Sequence, residues 1–462
     1  MSSESGVQRL RHEDIQGIVL RSYRMPVVRH FVLRVDDASG AKRLIASLVD
    51  DARRTSLQIT AAAPWSDQTT PDACFNLGFT WQGLRALQLP FDLDRSFRSF
   101  PSFISGAVAR AGFLHDIGNS DPENWLGGLA PKAKGSTESD AHLILTLHAQ
   151  SADLRELRSK ELRALFESSP SVTELSAHDG QALPGEKVHF GYRDGMSEPN
   201  IEGGFAVLPD SQPVVPACQF VLLDDGDYNV PDPPALGLNG SFAAFRIIEQ
   251  DVVGFENFLS ANSESEAGKE KLAAQMMGRW RNGTPLVLSP DAPIELPDDK
   301  LNEFDYVATS NNPDDSLGLR CPIGAHIRRV NPRGVPAPGV GSGHDHRLIR
   351  RGLPYGPEYV PGTAPDNQPR GLIGMFICAD LFNQFEFVTN DWINRGGFVS
   401  GLPLGQKDPL IGSNSSETSQ FEIPSGPGQK RVLKGFGSFI STRGGAYLFL
   451  PSLSALRFIA TH

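Results

Sequence analysis

Two stretches of this chain, about 210 residues apart, carry the same succession of patterns. Residues 30–35 (HFVLRV) form a β-branched run, followed by a polar turn and the amphipathic 41–49 (AKRLIASLV). Residues 241–248 (SFAAFRII), the turn 249–251 and 252–259 (VVGFENFL) repeat that order. Each copy predicts one strand feeding one helix, because a β-branched run suits a strand and a 3.6-residue apolar period suits a helix face. A duplicated unit constrains more than any single element, since it asks for two related halves in one chain.

Further strands are predicted at 56–61, 142–148, 374–378 and 446–450, and helices over 153–167 and 268–277. Strands and helices mix without regular βαβ alternation, which is the α+β class. A length of 462 residues suits two domains. The expected division is a disordered start over 1–12, an N-terminal domain over 13–207, a proline-rich linker at 208–216 and a C-terminal domain over 217–462. Long polar loops are expected at 332–345 and 406–430, of the length that serves as functional lids or stays disordered.

Acidic residues outnumber basic ones by 54 to 43, a net charge of −11, which leaves no positive field to attract nucleic acid or anionic lipid. Cys74, Cys218, Cys321 and Cys378 are scattered without C-x-x-C spacing. That argues against a zinc ribbon, a redox dithiol or a disulfide scaffold, and fits a reducing compartment. The start shows no apolar leader, and no apolar run is long enough to cross a membrane, so a cytoplasmic, membrane-free protein is expected. Residues 446–460 read as folded, so recruitment into a protein shell by a terminal peptide is not expected.

Three residues stand out chemically. His326 sits among Ile323, Ala325 and Ile327. A lone histidine there is most often a satisfied core residue; the alternative is an axial ligand to haem iron, whose other ring nitrogen must meet a group that sets its basicity. Asp194 lies in a Gly191–Gly195 turn, either as a plain hairpin corner or as a carboxylate presented to a cavity to shuttle a peroxide proton. Arg350 is either a surface cation or fixed positive charge for O–O cleavage. Taken alone, each choice stays open. His344 and His346 at i, i+2 lack a third zinc ligand, and the glycines of 339–343 lack the ending of a phosphate loop. Trp125, Trp280, Trp392, Tyr192, Tyr355 and Tyr359 could relay electrons, although core packing is the plainer reading.

The segments 189–199 (HFGYRDGMSEP), 321–333 (CPIGAHIRRVNPR) and 348–356 (LIRRGLPYG) together resemble the dye-decolourising peroxidase family, in its longer cytosolic branch. So do 13–20, 76–87, 236–242, 277–280 (MGRW), 384–387 (QFEF) and 451–457, in the family's order and over nearly the whole chain. The resemblance implies two ferredoxin-like domains sharing one haem pocket, with one haem b per chain. It makes His326 the axial iron ligand, Asp194 the distal carboxylate of a GxxDG motif and Arg350 the distal arginine. Met375 and Ile377 would line the distal oxygen pocket, and Glu386 would be the acid behind the proximal imidazole, with Asp380 next in line. The implied activity uses hydrogen peroxide to form a ferryl species that oxidises phenolic, aromatic or dye-like donors in one-electron steps; homo-oligomerisation is left open. A haem carrier, store or sensor is the alternative, and the two distal residues favour the enzyme because storage needs neither. A haem-free scaffold would make all three residues coincidental.

Overall fold

The structure, a computed structural model, describes residues 10–50, 56–66, 70–168, 170–205, 212–224, 229–308, 313–335, 343–397, 399–426 and 428–462. One antiparallel sheet organises it. In chain order its strands are β1 (Val27–Val35), β2 (Ala73–Phe79), β3 (Leu143–Ala149), β4 (Val172–Gln181), β5 (Ser241–Gln250), β6 (Ile349–Tyr355), β7 (Gly371–Cys378) and β8 (Ile440–Leu450). Their spatial order is β4-β1-β3-β2-β8-β5-β7-β6, so four N-terminal strands join four later ones where Phe79 pairs with Phe449. The sheet curls until its edges approach: a Cβ on Gly180 of β4 would lie 3.1 Å from Leu353 of β6 and from Ile373 of β7. The inner face is packed by Val32, Cys74, Ile144, Phe245, Ile349, Ile373 and Leu448.

Both copies of the repeated unit form. Helix α1 (Ala38–Leu48) follows β1 and is capped by Asp37, whose carboxylate accepts from the Gly40 N–H at 2.6 Å. Its Leu44, Ile45 and Leu48 pack on Phe31 and Leu33, joined on the outer face by α2 (Pro101–Arg110), α3 (Ala152–Ser168) and the C-terminal Leu453–Thr461 helix. In the second copy α4 (Val252–Ala261), capped by Asp251, follows β5, but its Val252, Phe255 and Leu259 leave the sheet. They pack instead on Phe190, Tyr192 and α5 (Glu266–Met277), and on the hairpin Gln420–Gly426 with Gln429–Lys434. The outer face of β5, β7 and β6 is thereby left open for a cavity.

Several expectations change. The predicted strand 56–61 forms only two isolated bridges, Ile59 to Phe75 and Ala61 to Gln16, because residues 15–17 and 75 share its backbone bonds. Residues 10–12, placed in a disordered start, are ordered: Leu10 is buried and the His12 ring bonds to the Gly203 carbonyl; residues 1–9 lie outside the described residues. The linker 208–216 is described only from 212, where Gln212 is buried and Val214–Val215 pairs with Asn200–Ile201. The segment around Asp194, assigned to the N-terminal domain, packs on α4 and α5 of the other half, where Tyr192 Oη donates to the Ala273 carbonyl at 2.7 Å. The C-terminal helix crosses back onto the N-terminal half, and Asp14 accepts from the Ser454 N–H at 2.7 Å.

Candidate active site

The open face of the C-terminal half borders a cavity of about 880 Å³, and His326, Asp194 and Arg350 all line it. Ligand pockets run from about 300 to 1,000 Å³, so this one has room for a large organic ligand.

His326 opens the short helix α6 (His326–Val330). Its Nδ1 lies 2.8 Å from Asp408 Oδ2, and Asp408 is fully buried. Two neighbours make that contact reachable. Gly324 has no side chain where the Gln406 amide passes, so the loop bearing Asp408 comes close to the helix start. Arg329, also fully buried, donates to the carbonyls of Trp392 at 2.7 Å and Gln406 at 3.1 Å, clamping that loop. Burial opposes charge on Asp408, but His326, Arg329 and the Ile411 N–H outweigh it and hold the carboxyl below the usual carboxylate range. With Nδ1 committed to a carboxylate, the imidazole presents Nε2, the arrangement seen in histidine ligands to metals.

Asp194 lies across the chain in a turn whose glycines, Gly191 and Gly195, take φ of +86° and +75°, a region L side chains avoid. The turn is pinned by Asp194 N–H donating to the Glu186 carbonyl at 3.0 Å and by Arg193 on Asp298 at 2.6 and 2.8 Å. The Asp194 carboxylate itself has no hydrogen-bond partner among the described residues, so it is available to a ligand in the cavity. Arg350 projects from β6, opposite Phe376 of β7.

Three more arginines, Arg279, Arg333 and Arg347, are buried in the cavity wall and form no ion pair among the described residues. Burial, then the proximity of Arg333, pushes both Arg279 and Arg347 down to about 9. Buried positive charge without a carboxylate calls for an anion. An iron porphyrin would fit these residues: His326 Nε2 could take the iron, the arginines its propionates, and Ile327, Val330, Leu372 and Phe376, which line the cavity, its apolar ring.

Two sequence-based assignments are corrected. Glu386 does not back His326: fully buried, it accepts from Arg110 at 2.9 and 2.6 Å, Ser102 at 2.9 Å and Tyr447 at 2.8 Å, so α2 and β8 take up its oxygens. Asp380 caps the π-type segment Leu381–Glu386 by accepting from the N–H groups of Phe382 and Asn383. Asp408 was missed; it lies in the loop 406–430, far from the acids considered. Met375 and Ile377 both pack in the inner core; Met375 still borders the cavity, whereas Ile377 does not. Directly opposite residues share a face, so Phe376 sides with Arg350, and with it Leu372 two turns of the pleat away.

No family model matches the chain. It is 30% identical to a dye-decolorizing peroxidase of Mycena epipterygia, spanning 97% of this chain and 86% of that one. It is 29% identical to a dye-decolorizing peroxidase of Mycetinis scorodonius, over 99% and 89%. Among solved structures, a dye-decolorizing peroxidase in complex with 2,6-dimethoxyphenol matches with a TM-score of 0.80 at 29% identity, covering 98% of this chain and all of that one. A fungal DyP-type peroxidase from Auricularia auricula-judae matches with a TM-score of 0.80 at 25% identity, over 98% and 99%.

Proposed function

This chain belongs to the dye-decolourising peroxidase family, and on that premise we propose how its own residues serve a haem peroxidase reaction. One observation carries the reading: a carboxylate-backed histidine and an unpartnered carboxylate with an arginine open onto the same cavity. A haem b, one per chain, would supply the iron chemistry that draws oxidising equivalents from hydrogen peroxide and passes them to a donor. His326 would hold it through Nε2, with Asp408 fixing the orientation of the ring. Arg279, Arg333 and Arg347 would take the propionates. Asp194 would accept a proton from incoming peroxide and return it to the departing oxygen as water, while Arg350 N–H groups stabilise the negative charge that develops there. Leu372 and Phe376 would keep bulk water from the distal side.

Phenolic donors oxidised in one-electron steps are the substrate class we propose, supported by the related peroxidase solved with 2,6-dimethoxyphenol. A cytoplasmic site of action is in keeping with four free cysteines, and no described helix is long and apolar enough to cross a membrane. Stopped-flow mixing of the haem-loaded protein with peroxide tests the distal roles. Asp194→Asn should slow the reaction by about 10²–10⁴ with the resting spectrum kept, and Arg350→Leu by about 10²–10³. Wild-type rates in both variants would remove the proposed distal site.

A further inference from the structure

The side chain of Arg350 is 38% exposed on the cavity wall, and a guanidinium that open needs a tether if its charge is to stay in one place. Loose, it would lose side-chain entropy in every encounter with a ligand. Glu198 supplies the tether. Its Oε1 lies 3.2 Å from Arg350 Nη2, and its Oε2 accepts from the Arg350 backbone N–H at 3.2 Å and from Arg351 Nη1 at 3.0 Å. Arg351 is itself fixed in the interior, where Nε donates to the Ile18 carbonyl at 2.9 Å and Nη1 to the Arg350 carbonyl at 3.0 Å. A chain of contacts thus runs from the buried backbone at Ile18 through Arg351 and Glu198 to the exposed guanidinium.

Glu198 also stands four residues after Asp194, in the same short segment, and Arg347 steadies that segment by donating to the Ser197 carbonyl at 3.1 Å. One piece of chain therefore carries the distal carboxylate and the group that holds the distal arginine. We propose that Glu198 is a positioning residue that sets Arg350 relative to Asp194, engaging Nη2 and leaving Nε and Nη1 for the oxygen being cleaved. The inference rests on the peroxidase reading of the cavity. Glu198 also offsets one of the two adjacent arginine charges, so its removal alters where cationic charge sits and not only how the loop packs.

A double-mutant cycle on the haem-loaded protein tests it, read out by the stopped-flow rate with peroxide and by the affinity of the ferric protein for azide. Glu198→Ala should slow the peroxide reaction by about 10- to 100-fold, the usual cost of losing an outer partner of a reactive centre. Glu198→Gln, of the same shape and with one acceptor left, should fall between Glu198→Ala and wild type. In an Arg350→Leu background Glu198→Ala should change the rate by less than about twofold, because its effect on the reaction passes through the Arg350 guanidinium, while azide affinity reports the charge left on Arg351. Equal losses in both backgrounds, or a Glu198→Ala protein indistinguishable from wild type while Arg350→Leu is slow, would overturn this inference alone. A wild-type rate in Arg350→Leu would overturn the distal role of Arg350 and the inference with it.

Discussion

The two halves of the sheet begin from the same strand-then-helix unit and end differently. In the N-terminal half α1 folds back on its strand, and Leu44, Ile45 and Leu48 close the outer face against Phe31 and Leu33. In the C-terminal half α4 turns outward onto Phe190 and Tyr192, the residues just before Asp194, so the equivalent face of β5, β7 and β6 stays open. The open face borders the large cavity and carries Arg350 on its wall. Turned off its sheet, α4 leaves that space and holds the segment that carries Asp194.

The contrast is sharpest in variants that damage one half and spare the other. Phe31→Ala, in the closed half, should cost about 3–5 kcal/mol, the range for emptying a fully buried aromatic site. A thermal melt should show that loss, while the haem spectrum at 25 °C stays that of wild type; a changed spectrum would mean the halves are coupled more tightly than their packing indicates. Asp408→Asn, in the open half, should do the reverse. Haem affinity should fall about 10- to 100-fold and the iron reduction potential should rise, since the imidazole loses its anionic partner. Titration with haem and spectroelectrochemistry would check both, and an unchanged potential would deny Asp408 its role.

A smaller effect tests the outward helix. Glu256 on α4 pairs with Arg281 at 2.6 Å and Lys269 at 2.9 Å. Burial disfavours its charge, but the two cations outweigh that and hold its carboxyl below the ordinary value near 4.5. A carboxyl depressed by folding contributes stability that is present above the unfolded value and lost as pH falls through the lower folded one. Acid unfolding should therefore loosen the α4 region below about pH 4.5, and Glu256→Gln should remove that part of the pH dependence. A wild-type acid profile in Glu256→Gln would place the pH response elsewhere.

The elements were legible where local signals are strong: β1 and β5 end at polar turns in which Asp37 and Asp251 cap the next helix, and α3 and α5 bury one face. β7 (GLIGMFIC) is apolar on both faces, and a continuous apolar run carries no parity, so its sequence does not show that Leu372 and Phe376 share the face of Arg350 while Met375 and Ile377 pack inward. His326, Asp194 and Arg350 could be named from local motifs, and they share a cavity. The partner of His326 could not, because Asp408 lies 82 residues away on an irregular loop and only the Gly324 gap and the Arg329 clamp bring it in. The buried acid that local sequence did suggest, Glu386, serves Arg110 and Tyr447.

The central claim is that His326 binds haem iron in the open half and that the bound haem reacts with peroxide. An absorbance spectrum of the haem-loaded protein, before and after one equivalent of hydrogen peroxide, tests it in wild type and His326→Ala together. Wild type should show the Soret band of a histidine-ligated ferric haem, change on adding peroxide and return when 2,6-dimethoxyphenol is supplied. His326→Ala should bind little haem or show a different ligation, with no such cycle. The same resting spectrum and the same peroxide response in His326→Ala would contradict the account.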